Sequence, residues 1–265
     1  MIAILGAGMM GEALLAGLLG GGWAPADIRA VDASPARCTY IGLTYGVPVL
    51  DALDAVRGVD TVIVAVKPNN VAELLDDIGP ALGPGCLVVS LAAGVTVTTL
   101  EAHLPPHTPV VRAMPNTAAL VGEAMTVICA GTSATTTHLT QAEAILKAVG
   151  QVRTAPEKQM DIVTAVSGSG PAYVMYIAEA MIDAGVLLGL PRALASDLVK
   201  QTLYGSSKLL VTSGEHPTVL KENVVSPGGT TAAALRALDE HGVKVGFTDA
   251  IEAAYARSRE LGTGN

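Results

Sequence analysis

Hydrophobic residues in the first half of the chain form short uninterrupted runs, and longer segments with helical spacing of apolar positions separate them. Such runs are typical of buried strands, and such segments are typical of helices. The predicted strands cover residues 2–5, 28–31, 61–66, 86–91, 109–112 and 124–130, and the predicted helices cover 12–19, 70–78 and 139–149. This alternation indicates an α/β fold with a doubly wound parallel sheet that helices cover on both faces.

The pattern changes near residue 155, after which strands largely disappear. We therefore predict an α/β domain over residues 1–155 and an all-helical domain over 156–265, with helices at 172–188, 192–211, 230–240 and 249–261. The first of these helices is apolar nearly all round, and Glu179 and Asp183 are its only charges. Such a helix must be buried on most sides. Because few residues remain to cover it, we expect a second copy to do so, as a homodimer through the C-terminal half.

Composition narrows the class of protein. Hydrophobic residues make up 50% of the 265 residues and charged residues 15%, which favours a packed globular protein over a disordered one. The net charge of −8 and the 3% of aromatic residues argue against nucleic-acid and anionic-membrane partners. The charge-free stretch 78–100 contains Pro80, Pro84 and several glycines, so a buried strand between turns fits it better than a membrane span. The N-terminus lacks the pattern of a signal peptide.

Cysteines and histidines do not indicate a metal or disulfide framework. Cys38, Cys86 and Cys129 are odd in number and widely separated, which is typical of core residues in a reducing cytoplasm. A redox or nucleophilic role for one of them is the less favoured alternative. The five histidines lack the spacing of metal ligands, so we predict no metal site.

A glycine motif, GAGMMG, follows the first predicted strand and opens a helix. In this setting Gly6 permits a tight turn, Gly8 lets the backbone approach a pyrophosphate, and Gly11 allows close helix–strand packing. The helix N-terminus would face the anion. This context favours dinucleotide binding over a purely structural turn.

Residues beyond the second predicted strand bear on the choice of cofactor. Asp32 lies about 20 residues after the glycine motif, where an acidic side chain accepts hydrogen bonds from the adenosine ribose and favours NAD. Ser34 and Arg37 could instead hold the 2′-phosphate of NADP. Ser34 before Pro35 also fits a helix N-cap. NADPH and NADH therefore both stay open as the cofactor.

Several further motifs are weak when taken singly. Lys67-Pro68 and Arg112-Ala-Met-Pro-Asn116 follow predicted strands, where ligands bind in open α/β sheets, but loops ended by proline explain them equally well. SGSGP (167–171) and SPGGTT (226–231) each precede a helix. The second could bind a carboxylate through backbone N–H groups and hydroxyls, although a plain helix cap is the competing interpretation.

Taken together, these segments resemble the pyrroline-5-carboxylate reductase family along residues 2–260. The resemblance rests on GAGMMG, AVKP (65–68), AAG (92–94), RAMPN (112–116), SGSGPAY (167–173) and SPGGTTAAALRALD (226–239), of which the last is the most specific. It implies a Rossmann domain followed by an all-helical dimerisation domain, with the active site between them. The implied activity is reduction of 1-pyrroline-5-carboxylate to L-proline by NAD(P)H, the last step of proline biosynthesis, with the dimer or a larger assembly of dimers as the active form.

The resemblance also implies roles for individual residues. The pyrophosphate would lie on Gly6, Ala7, Gly8, Met9, Met10 and Gly11, and the adenosine ribose near Ser34 and Arg37. Asp32, which its position alone assigns to the ribose, departs from the small or polar residues that NADPH-using members often carry there. The rest of the cofactor groove would be lined by Val66, Lys67, Pro68, Ala92, Ala93, Gly94 and Asn223, with Met114, Pro115 and Asn116 close to the nicotinamide. The implied substrate contacts are Glu157, Gly229, Thr230 and Thr231. Among these, Thr231 is the catalytic candidate, because its hydroxyl would bond the ring nitrogen.

Two alternatives remain open from the residues alone. Another Rossmann reductase, such as a β-hydroxyacid dehydrogenase, would share the glycine loop but has no reason to carry the SPGGTT run. A dinucleotide sensor would bind NAD(P)H without turnover. Consumption of NAD(P)H in the presence of pyrroline-5-carboxylate separates the reductase from both.

Overall fold

The computed structural model describes residues 1–262, which form two compact units. The sheet unit comprises Met1–Gly170 and the chain from Ala254 onward, and the helical unit comprises Pro171–Ala253. The functional boundary expected after residue 155 stays a prediction.

The sheet unit is built on one seven-stranded sheet with the order β2-β1-β3-β4-β5-β6-β7. All neighbouring strands are parallel except β5 and β6. The strands are β1 (Ile2–Leu5), β2 (Ile28–Val31), β3 (Thr61–Val64), β4 (Leu87–Ser90), β5 (Val110–Met114), β6 (Ala124–Ala130) and β7 (Gly150–Thr154). This architecture confirms the doubly wound α/β prediction.

Two details of the sheet differ from the sequence-based expectation. The prediction of a wholly parallel sheet is wrong at β6, which runs antiparallel to β5. Between them lies only the short 3₁₀ helix Thr117–Val121, whereas a parallel crossover needs about a dozen or more residues. The strand β7 was not predicted, because Val152 is its only buried side chain and it carries little hydrophobic signal.

Successive side chains along each strand point to opposite faces of the sheet, and both faces are buried. Ile2 and Ile4 belong to one hydrophobic cluster, and Ala3 and Leu5 belong to another. Helices supply the cover on each face, as the continuous apolar strands required. The helices of this unit are α1 (Met9–Gly20), α2 (Pro35–Tyr45), α3 (Ala52–Val56), α4 (Val71–Ile78), α5 (Val97–Ala102), α6 (Thr136–Leu146) and α7 (Met160–Val163).

The remaining helices are α8 (Gly170–Leu187), α9 (Arg192–Ser213), α10 (Pro217–Asn223), α11 (Thr230–Glu240) and α12 (Val243–Gly262). The expectation that α8 is buried on most sides is not met within a single chain, since none of its residues is buried. Tyr176 is 74% exposed and Leu187 is 86% exposed. The sequence predicts that the last helix begins at residue 249, whereas α12 begins at Val243.

Cysteine placement agrees with the expected core roles at two of three positions. Cys86 and Cys129 are buried, and burial raises the pKa of each thiol to about 11. Cys38 is only half-buried, and its thiol donates to the Asp32 carbonyl oxygen at 3.2 Å. No helix within residues 1–262 is both long enough and apolar enough to cross a membrane. Over the same residues, no group of three or more His, Cys, Asp and Glu side chains is arranged to hold a metal.

Candidate active site

The glycine loop between β1 and α1 is open to an anion on one side. Gly6 has a left-handed φ of 97°, and a Cβ there would lie 2.7 Å from the Ala65 carbonyl oxygen. A Cβ at Gly11 would collide with the Gly6 carbonyl oxygen, so α1 packs directly on the loop. By contrast, a Cβ at Gly8 would meet no atom within 4 Å, and no side chain caps α1 there. A phosphate can therefore approach the N–H groups of the first turn.

The carboxylate of Asp32 joins the glycine loop to the loop after β2. Its Oδ2 accepts a hydrogen bond from the Ala7 N–H at 3.0 Å, and its Oδ1 accepts one from the Ser34 N–H at 2.9 Å. The Ser34 hydroxyl accepts from the Arg37 N–H at 3.4 Å, which confirms the predicted N-cap of α2. Asp32 thus has a structural role whichever cofactor the site takes.

Arg37 is held by the glycine loop and the first turn of α1. Its Nε donates to the Ala7 carbonyl oxygen at 2.5 Å, and its Nη2 pairs with the Glu12 carboxylate. The Tyr45 hydroxyl also donates to Glu12, at 2.7 Å. Burial raises the pKa of Glu12, but hydrogen bonds from Arg37 and Tyr45 outweigh burial and lower it. Burial and the Glu12 carboxylate raise the pKa of Tyr45 to about 12. Sequence reasoning missed both Glu12 and Tyr45.

A cavity of about 310 Å³ lies at the carboxyl ends of the central strands. Eight residues predicted to hold the cofactor line it: Met10, Val66, Pro68, Ala92, Ala93, Met114, Pro115 and Asn116. Four further lining residues were missed, namely Ala65, Leu91, Thr117 and Gly168. Ala65, Leu91 and Thr117 adjoin predicted residues in sequence, so their positions after strands could have indicated them. Lys67 and Gly94 are neighbours of lining residues but do not line the cavity.

Asn116 lines this cavity and carries a buried amide oxygen beside it. Its Nδ2 donates to the Ser167 carbonyl oxygen at 3.0 Å, which fixes the orientation of the amide. Its Oδ1 is buried and accepts no hydrogen bond from any of residues 1–262. Ser167 belongs to a π-helical turn, Thr164–Gly168, and such turns occur frequently at functional sites. A buried acceptor without a donor costs free energy, so packing alone does not account for this amide beside the cavity.

Arg112 and two carboxylates form a second polar cluster in the sheet unit. The Arg112 side chain is 3% exposed, and its nitrogens lie 3.3 Å from Glu157 Oε1 and 3.9 Å from Asp161 Oδ1. Glu157 Oε1 also accepts from the Val97 N–H at 2.5 Å, at the start of α5. Asp161 accepts from the Ser258 hydroxyl at 2.8 Å. The substrate contact expected of Glu157 stays a prediction, and its internal partners give it a structural role.

In the helical unit, the predicted substrate residues lie at the start of α11. Gly229 is its N-cap residue, without a side-chain cap, and Thr230 and Thr231 begin the helix. The preceding Gly228 has a left-handed φ of 68°. Thr231 is half-buried and Thr230 is exposed. Asn223 is the last residue of α10. The first turn therefore offers backbone N–H groups and two hydroxyls to a small anion.

Two family models match the chain. One is described as pyrroline-5-carboxylate reductase dimerisation and matches residues 157–261, and the other is described as NADP oxidoreductase coenzyme F420-dependent and matches residues 1–94. The pyrroline-5-carboxylate reductase of Mycobacterium tuberculosis is 42% identical, over 98% of this chain and 96% of that protein.

Two solved structures agree with this match along nearly the whole chain. A pyrroline-5-carboxylate reductase from Coxiella burnetii is 33% identical with a TM-score of 0.93, over 98% of this chain and 97% of that one. The Plasmodium falciparum enzyme, solved with NADP bound, is 33% identical with a TM-score of 0.88 over the same shares. The likeness covers the glycine loop, the cavity and the start of α11, and the chain belongs to the pyrroline-5-carboxylate reductase family.

Proposed function

We propose that this chain reduces 1-pyrroline-5-carboxylate to L-proline with NAD(P)H, the last step of proline biosynthesis. Membership of the reductase family supports the reaction. The observation that carries the site assignment is the cavity at the strand ends, because it gathers eight predicted cofactor residues, Asn116 among them. When bound, NAD(P)H supplies the hydride that reduces the ring C=N bond.

The residues of the sheet unit fit this cofactor. The uncapped first turn of α1 beside Gly8 would hold the pyrophosphate, and Asp32, Ser34 and Arg37 would face the adenosine ribose. The cavity residues would enclose the nicotinamide. Asn116 would line the nicotinamide pocket in the orientation that its hydrogen bond to the Ser167 carbonyl oxygen fixes. Lys67, Gly94 and Asn223 complete the set of proposed cofactor-binding residues.

The residues of the helical unit would hold the substrate. The ring carboxylate suits the N–H groups at Gly229 and Thr230, where the N-terminus of an 11-residue helix favours negative charge. Thr231 would place its hydroxyl against the ring nitrogen and so orient the imine. Its hydroxyl is too weakly acidic to be the ultimate proton source, so it would relay a proton that arrives from water. Glu157 is the remaining proposed substrate contact.

The test compares Thr231→Ala with Thr231→Ser. We expect Thr231→Ala to lower kcat/KM for pyrroline-5-carboxylate by roughly 10²–10⁴-fold, the usual range for one positioned acid–base group. NAD(P)H affinity should stay near that of the wild type, and Thr231→Ser should retain much of the activity. Thr212→Ala is the matched control, because the Thr212 hydroxyl donates to the Lys208 carbonyl oxygen of its own helix, at 2.9 Å. Wild-type turnover by Thr231→Ala would remove Thr231 from the proposal.

The proposed working form is a homodimer through the C-terminal domain, with a larger assembly of dimers as a further arrangement. It is supported by the match to a dimerisation model and by α8, which is apolar yet has no buried residue within one chain. Analytical ultracentrifugation should find no monomer at micromolar concentration, and a monomer there would refute the dimer. The cytoplasmic location expected from the unpaired cysteines stays a prediction.

A further inference from the structure

Three charged side chains lie beside the glycine loop, where the adenosine end of the cofactor is proposed to lie. Asp32 follows β2 and accepts hydrogen bonds from the backbone of Ala7 and Ser34. Arg37 follows in the first turn of α2, and Glu12 lies in the first turn of α1. Glu12 has no role in the proposed reduction, yet its carboxylate directly pairs with the Arg37 guanidinium.

The arginine is restrained on several sides. Its Nε donates to the Ala7 carbonyl oxygen at 2.5 Å, and its guanidinium lies 5.0 Å from the centre of the Tyr40 ring. Glu12 is itself fixed, because it accepts a hydrogen bond from the Tyr45 hydroxyl at 2.7 Å. The side chains of Arg37 and Glu12 are 27% and 20% exposed, so water screens this pair only in part.

This arrangement changes the charge that a 2′-phosphate would meet. In dinucleotide folds, an acidic residue after the second strand bonds the ribose 2′-hydroxyl, whereas a nearby arginine accommodates a 2′-phosphate. Here the two carboxylates outnumber the one guanidinium, and the guanidinium already has an anionic partner. A phosphate at this position would have to compete with Glu12 for Arg37 while lying close to Asp32.

We propose that Glu12 is a specificity-determining residue, which pairs with Arg37 and makes this chain favour NADH over NADPH. The inference rests on the proposed function, because it concerns the cofactor of the same site. Glu12 acts through Arg37 and takes no part in the chemistry. Removal of its charge frees the guanidinium for a 2′-phosphate, while a cofactor without that phosphate gains nothing.

Adenine nucleotides without a nicotinamide give the sharpest test, since they isolate the 2′-phosphate from the reaction. Calorimetric titration measures the Kd of 5′-AMP and of 2′,5′-ADP for the wild type, Glu12→Gln and the control Glu143→Gln. Glu143 carries the same charge but pairs with Lys147 at the C-terminal end of α6 instead of with Arg37. We expect Glu12→Gln to raise the preference for 2′,5′-ADP over AMP by about tenfold, the size of one unit charge removed nearby at intermediate dielectric.

Two further measurements separate electrostatics from a general structural effect. The gain should shrink at high salt, and Arg37→Gln in the Glu12→Gln background should abolish it. The ratio of the NADPH and NADH dissociation constants should shift in the same direction. A thermal melt of each variant accompanies the titrations, so that affinities are compared only between folded proteins.

An unchanged preference in Glu12→Gln, an equal change in Glu143→Gln, or equal loss of both nucleotides would overturn the inference while the proposed function stands. Failure of the wild type to bind AMP, 2′,5′-ADP, NADH and NADPH would overturn the proposed function and the inference together. A gain confined to 2′,5′-ADP that depends on Arg37 supports the inference.

Discussion

Substitution of Gly8 by Asp should separate cofactor binding from folding. Gly8 is the N-cap residue of α1, with extended backbone angles of φ −66° and ψ −168° that an aspartate adopts without strain. A Cβ there would meet no atom of the described residues within 4 Å. Aspartate is a favoured N-cap residue, so its carboxylate should accept a hydrogen bond from an N–H of the first turn. The free energy of unfolding should stay the same or rise by a few tenths of a kcal/mol.

The same carboxylate occupies the place proposed for the pyrophosphate. Hydrogen bonds to a charged group contribute about 1.5–3 kcal/mol each. Loss of two of them costs about 3–6 kcal/mol, which weakens NAD(P)H binding by at least about 100-fold. Gly8→Asn separates charge from bulk, because it can cap the helix without repelling a phosphate. Its loss of affinity should be smaller than that of Gly8→Asp.

Fluorescence titration with NADH and NADPH measures the affinity, and urea denaturation measures the stability. Gly11→Ala is the comparison, because its Cβ would collide with the Gly6 carbonyl oxygen and strain the loop itself. We expect Gly11→Ala to lose about 1–3 kcal/mol of stability, as in other overpacked sites. The reasoning fails if Gly8→Asp binds cofactor as the wild type does, or if it is destabilised as much as Gly11→Ala.

Three more outcomes follow from buried polar and titrating groups. Thr126→Val should raise the free energy of unfolding by about 1 kcal/mol in urea denaturation, because the buried Thr126 hydroxyl has no hydrogen-bond partner among residues 1–262; a loss of stability would contradict this. The folded state lowers the pKa of Glu12 from 4.5, so the stability cost of Glu12→Gln should be full above pH 4.5 and shrink below it in thermal melts. Iodoacetamide at mildly alkaline pH should modify Cys38 before Cys86 and Cys129, whose pKa values are raised to about 11, as peptide mass spectrometry would show.

The parts of the fold that the sequence predicts are those with a strong apolar signal. Strands β1, β2 and β6 have the predicted bounds, because their residues are buried on a covered sheet. The edge strand β7 carries polar residues and gave no such signal. The direction of β6 was predictable in principle, since the chain between Met114 and Ala124 is too short for a parallel crossover.

The candidate site also has parts that the sequence predicts and parts that it does not. Residues after parallel strands converge at one edge of the sheet, which explains why Val66, Ala92 and Asn116 share a cavity as expected. Pairing of Glu12 with Arg37 depends on the packing of two helices, and no local pattern encodes it. The π-helical turn that orients Asn116 likewise changes the hydrogen-bond register without a distinct periodicity in the sequence.

The most direct test follows a labelled hydride into the product. The purified chain is incubated with 1-pyrroline-5-carboxylate and NADH or NADPH that carries deuterium on the reactive face of C4, and the proline is analysed by mass spectrometry. We predict L-proline with one deuterium at ring carbon C5, formed in step with oxidised cofactor. Absence of proline with both cofactors, or proline without the label from either face of C4, would contradict the proposed reduction.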